Sequence, residues 1–129
     1  MSAPVTSLYA GILGLMLVAL TTRVVVGRWR AGVGIGHGDS KSLRRWIRVH
    51  ANFAEHVPLA VVLLLVCELN GVDDRWLHAA ASALVVARVL HVLGLSRSPG
   101  ISGGRFTGSL LTVLIMVFLG GLAIWKALL

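Results

Sequence analysis

The chain has 129 residues, of which 57% are hydrophobic and 13% charged, and it carries a formal net charge of +7. That length suits one domain, and the charged fraction is about half of the ~25% usual for soluble domains, which excludes an ordinary soluble fold. The basic surplus is concentrated between residues 23 and 48 rather than spread along the chain. This placement argues for membrane orientation and against nucleic-acid binding.

The first 22 residues carry no charge. The run 5–26 is long enough to cross a hydrocarbon core of roughly 30 Å at ~1.5 Å per residue. No Lys or Arg precedes it and no small-residue cleavage site closes it, so a retained span is expected rather than a cleaved leader. The first helix is expected to end among Arg23, Arg28 and Arg30. The following Gly32-Val33-Gly34-Ile35-Gly36-His37-Gly38 alternates glycine with other residues, but it matches neither a dinucleotide nor a P-loop fingerprint and follows no strand. It reads as a linker, with Asp39, Ser40 or Ser42 placed to cap the second helix.

The second segment, 44–69, takes charges into an apolar run without a break. On a helix at about 100° per residue, Arg45, Arg48, Asn52, Glu55 and His56 fall within an arc of roughly 100°. Pro58 follows and leaves the Ala54 carbonyl without its helical donor. Asn70-Gly71 ends this segment, and Asp73 or Asp74 caps the third, making a tight helical hairpin. The third segment, 76–95, places Arg88 and His91 on one face. A connection over 96–104 containing Pro99 leads through Arg105 into the uncharged 20-residue run 106–125.

Four transmembrane helices are therefore expected, roughly 4–28, 42–70, 74–95 and 105–128, in a single all-α membrane domain spanning 1–129. Residues 23–48 hold seven basic residues and one acidic one, whereas 68–75 hold three acids and one base. The positive-inside tendency then puts the first and third connections in the cytoplasm and both termini on the other side.

Ionisable groups within a bilayer cost several kcal/mol unless paired or facing a polar cavity. Pairing of Arg48 or Arg88 with Glu55, and a helix-to-helix hydrogen bond from Asn52, would account for some of them structurally. Yet Arg45, Arg48, Arg88 and Arg105 outnumber the one acid at that depth. A surplus of forked donors suits a carboxylate ligand, with Glu55 and Asn52 left for its amine and amide groups. Trp29, Trp46, Trp76 and Trp125 fall near span ends and read as interfacial anchors. Cys67 reads as a buried thiol, and Glu68 as a residue that snorkels or caps. The five scattered histidines form no metal motif.

The pattern Arg45-x-x-Arg48-x-x-x-Asn52-x-x-Glu55-x-x-Pro58, with Arg88-x-x-His91 and Arg105 beyond it, resembles the MAPEG family, the membrane-associated proteins in eicosanoid and glutathione metabolism. It covers nearly the whole chain and places five residues across 14 positions. The wording Arg48-Val-His-Ala-Asn-Phe-Ala-Glu-His-Val-Pro58 is most similar to the bacterial branch. The resemblance implies a homotrimer in the bacterial inner membrane, with glutathione bound near the cytoplasmic side of each subunit interface. It implies glutathione contacts at Arg45, Arg48, Asn52, Glu55, Arg88 and His91, with His56 standing where a tyrosine is common. Arg105 would stabilise the glutathione thiolate, with Arg28 as the second choice. Leu95 stands where several relatives carry a ligand-contacting tyrosine.

The implied function is a glutathione transferase or peroxidase acting on a lipophilic small molecule that arrives from the bilayer. The alternatives are a non-catalytic lipid-binding or scaffold member of the family, and a small transporter. Tyr9, the only tyrosine, precedes Arg28 by 19 residues, about 28 Å along a helix. A tyrosine-activated thiol is therefore excluded, and a guanidinium is the expected activator.

Overall fold

A computed structural model describes residues 2–97 and 103–129, apart from the side chains of residues 95–97 and 105. The expectations for Leu95, for the turn at Pro99 and for the Arg105 side chain lie outside the described residues. Four helices follow one another: α1 (Pro4–Ala31), α2 (Lys41–Leu69), α3 (Asp74–Arg97) and α4 (Gly103–Leu128). All four are long and apolar enough to cross a membrane, so they form an all-helical four-span membrane bundle.

The helix ends have local causes. Pro4 lies in the first turn of α1, where its missing N–H costs nothing. Gly32 closes α1 in the left-handed region at φ 65°, donating its N–H to the carbonyls at Arg28 and Trp29. The helix therefore runs a turn beyond the expected end at 28, because Gly32 is the first of the linker's four glycines. Ser40 caps α2, its Oγ accepting the Leu43 N–H at 3.2 Å. Gly71, at φ 70°, turns the chain after α2. The carboxylate of Asp73 then accepts the Arg75 N–H at 2.9 Å and its guanidinium at 3.0 Å. These bonds from Arg75 hold the Asp73 carboxyl down at about 2.

Within the bundle α3 packs on α4 and α1 on α2, while α2 also touches α3 and α4, and α1 touches α3. The core runs through Leu13, Val49, Phe53, Leu64, Leu77, Leu84 and Leu119. Lipid is as apolar as leucine, so burial of these side chains does little to hold one helix to another, and close packing with polar bonds must do so. The α3–α4 seam shows how. A Cβ on Gly108 would lie 2.6 Å from the Ala87 carbonyl oxygen, and one on Gly104 would lie 3.2 Å from the Gly94 Cα and the Leu90 oxygen. Only glycine at these two positions, four apart, lets the backbones approach so closely.

Polar bonds hold the two ends. At one, the Glu68 carboxylate of α2 accepts the first-turn N–H groups of Val5 and Thr6 on α1, at 2.8 and 2.7 Å. It satisfies donors that have no intrahelical partner and sets a negative charge at the positive end of the helix. Tyr9 meets His78 at the same end, with 3.2 Å between its hydroxyl and Nδ1. At the other end Thr21 of α1 lies 3.1 Å from His50 of α2, and the Arg23 guanidinium stacks 4.8 Å above the Trp46 ring.

Candidate functional site

The polar residues of α2 share one side of the helix but differ in their partners. Asn52 turns its carboxamide oxygen towards α3, where Arg88 donates Nη1–H to it at 2.8 Å. Arg88 is only 1% exposed. Its Nη2 reaches the Gly108 carbonyl of α4 at 3.4 Å, and its Nε is buried with no hydrogen-bond partner among the described residues. One side chain thus crosses the α2–α3–α4 junction. It can do so because Gly108 brings the α4 backbone against α3. The same carbonyl accepts the Thr112 hydroxyl at 2.8 Å, and His91 Nδ1 lies 3.1 Å from Ser109 Oγ one residue on.

Asn52 has one acceptor oxygen and two donors. With the oxygen committed to a guanidinium, the amide cannot flip without setting its NH2 against a cation. The NH2 has no protein partner among the described residues. The orientation of the Asn52 amide is therefore set by a buried arginine on another helix. The sequence expects Arg88 itself to hold a ligand carboxylate. Its burial and two protein acceptors give it instead a grip on Asn52, because helical phase puts Arg88 and His91 on one face without saying that the face is inward.

Arg48 and Glu55 flank Asn52 on the same side of α2, within about 60° of it in helical phase, and are exposed where Asn52 is half-buried. Neither forms an ion pair among the described residues, so the structural pairing of Glu55 with Arg48 or Arg88 is not formed there. Arg45 is half-buried one turn before Arg48. His56 Nδ1 lies 2.9 Å from the Asn52 carbonyl. A carbonyl only accepts, so Nδ1 carries a proton in this contact. Arg28, at the end of α1, donates from Nε to the Gly36 carbonyl at 3.3 Å and so grips the α1–α2 connection.

The outer α2 face continues past these charges. Positions 48, 52, 55, 59, 62, 66 and 69 alternate spacings of four and three, which keeps them within an arc of roughly 100°. Leu59, Val62, Val66 and Leu69 are all exposed on it. Such a 4-3 stripe is the seam by which one helix meets another. Its lower half carries a guanidinium, an amide and a carboxylate, none of which belongs against lipid tails.

Within one chain, then, Asn52, Arg88, His56 and His91 are drawn together by direct bonds or shared neighbours. Arg45, Arg48 and Glu55 share a face of α2 rather than an enclosed pocket, and Arg28 lies apart in the last turn of α1. Sequence reasoning missed Gly104, Gly108 and Ser109. The Gly104-x-x-x-Gly108 spacing was the signal that could have found the first two.

The sequence pattern of the MAPEG family matches residues 6–125. The inner membrane protein YecN of Escherichia coli K12 is 34% identical over 90 residues, which is 70% of this chain and 69% of that protein. The YecN of a second strain, O6:H1, matches to the same extent.

Proposed function

The chain belongs to the MAPEG family, and from that premise we propose that this multi-pass inner-membrane protein is a homotrimeric glutathione transferase. The observation that carries the proposal is the outer face of α2. Arg48, Asn52 and Glu55 stand in line there, with the amide oriented by a buried arginine and neither charge paired among the described residues. A second copy packed on the 4-3 stripe would cover these groups and enclose a polar groove. Glutathione supplies what that groove lacks: two carboxylates for Arg45 and Arg48, an amine for Glu55 and a peptide carbonyl for the Asn52 NH2.

Each residue has a role in this reading. Arg88 acts on the ligand through Asn52, and His91 through Ser109. His56, anchored through Nδ1 to the Asn52 carbonyl, offers Nε2 to the ligand. Arg105, with Arg28 as the second choice, holds the thiolate. A guanidinium beside the thiol lowers its pKa from about 8.5 and raises the thiolate fraction at neutral pH. The thiol proton leaves to solvent on the cytoplasmic side. The sulfur lone pair then forms a bond to an electrophilic carbon of a lipophilic molecule arriving from the bilayer, and for an aryl halide the carbon–halogen bond breaks and the halide leaves with its electron pair. Holding both reactants in a site of low dielectric fixes their geometry and strengthens the thiolate–guanidinium pair.

The test is conjugation of a generic aryl halide by the purified protein. Arg105→Ala is expected to lower the rate by at least about 100-fold, the scale for loss of one stabilising charge, while glutathione affinity survives. Unchanged activity would remove Arg105 from the mechanism and turn attention to Arg28→Ala. A second reading, a non-catalytic lipid-binding or scaffold protein, draws on Leu95, which stands where relatives have a tyrosine. It expects no conjugation even where glutathione binds.

A further inference from the structure

At the basic end of the bundle the last turns of α1 and the first turns of α2 leave a cleft of about 280 Å³. It is separate from the glutathione groove proposed above, since none of Arg28, Arg45, Arg48, Asn52 and Glu55 lines it. Arg23, Gly27 and Arg30 form one wall at spacings of four and three, and Ser42, Leu43 and Trp46 form the other. The helices close here because Gly27 has no side chain, and a Cβ on it would lie 2.9 Å from Leu43 Cδ1.

The chemistry of the walls selects a ligand. No carboxylate lines the cleft, and neither Arg23 nor Arg30 forms an ion pair among the described residues. Arg23 is held over the Trp46 ring at 4.8 Å, which fixes its guanidinium at the level of an interfacial tryptophan. Arg30 lies two turns further out, about 10 Å along the axis. On the other side of Arg23, the same face of α1 continues through Ala19, Met16 and Ile12. Ala19 and Ile12 are exposed and Met16 half-buried. A cationic pair at the interface with an apolar track leading from it towards the membrane centre matches a headgroup and its acyl chains.

We propose that this cleft binds the phosphodiester headgroup of an anionic phospholipid, with Arg23 and Arg30 as its cationic ligands and the α1 face beside it as the seat of an acyl chain. The lipid then ties the α1–α2 connection to the membrane surface.

The experiment is native mass spectrometry of the whole protein released from micelles. The micelles are doped with phosphatidylglycerol or with phosphatidylcholine of the same chains. Wild type is expected to retain phosphatidylglycerol over phosphatidylcholine by about thirtyfold, from roughly fivefold per arginine at a membrane surface. The R23Q/R30Q variant is expected to lose that preference, R23K/R30K to keep most of it, and R75Q, at the opposite end of the bundle, to keep all of it. Retention that survives millimolar inorganic phosphate supports the lipid as the source of the phosphate group. Displacement by inorganic phosphate instead supports the cradle and overturns the lipid. Equal retention of the two lipids by wild type, or a preference that persists in R23Q/R30Q, overturns the site. Glutathione binding by R23Q/R30Q is expected to match wild type, so failure here is distinguishable from failure of the transferase reading.

Discussion

Replacing Gly108 by alanine adds one methyl group where the α3 backbone leaves no room. Its Cβ would lie 2.6 Å from the Ala87 carbonyl oxygen, 2.9 Å from the His91 nitrogen and 3.0 Å from the His91 Cβ. Two of these neighbours are backbone atoms of a packed helix, so no side chain can swing aside. Reaching an ordinary carbon–oxygen separation of about 3.3 Å requires α3 and α4 to part by roughly 0.7 Å. Overpacking on this scale costs about 3 kcal/mol. Alanine recovers about 1 kcal/mol through its helix propensity, leaving a net loss near 2 kcal/mol.

Gly120 provides the control on the same helix, because a Cβ there meets nothing within 4 Å. Gly120→Ala is expected to be neutral or stabilising by up to about 1 kcal/mol. Reversible unfolding in mixed micelles of increasing SDS fraction measures both. The expected separation between the two variants is about 3 kcal/mol, well beyond ordinary error. Equal stability of the two would refute the claim that glycine-mediated contact joins α3 to α4. It would also undercut the route by which Arg88 reaches the Gly108 carbonyl.

Two further perturbations address other links. Asn52→Ala and Arg88→Met, made singly and together, should be non-additive by about 1–3 kcal/mol in the same unfolding assay, because each strands the other's polar group; additive losses would mean that the 2.8 Å contact carries no coupling. Glu68→Gln keeps one acceptor but presents an NH2 to the other first-turn donor of α1, so a loss of about 1–2 kcal/mol is expected. Faster amide exchange at Val5 and Thr6 should accompany it, and unchanged protection at both would dismiss the cap.

The four spans were legible because in a bilayer charge is a position marker. The uncharged 20-residue run 106–125 and the basic and acidic connections leave one arrangement of helices. The α2 stripe was legible for a similar reason, since 3.6-residue periodicity puts Arg48, Asn52 and Glu55 in line whatever surrounds them. What periodicity cannot supply is the direction a face looks. Arg88 and His91 share one face of α3 in any helix, but only the packing of α4 through Gly108 shows that this face is buried. Contacts across many residues were equally hidden. Glu68 could be read as a cap without being assigned to Val5 and Thr6, which lie 63 and 62 residues away. Arg23 and Trp46 read separately as an interfacial charge and an anchor, and the cleft they line exists only once α1 and α2 are paired.

The central claim is that Arg48, Asn52 and Glu55 form a ligand face rather than a set of packing contacts. Calorimetric titration of glutathione into the detergent-solubilised protein tests it most directly, with Arg48→Ala and Glu55→Gln beside the wild type. Saturable binding is expected in the wild type, weakened about 30- to 100-fold in either variant, as loss of one charge-assisted contact of roughly 2–3 kcal/mol requires. A wild type that stays folded yet releases no heat of binding, or variants that bind as tightly as the parent, would contradict the account.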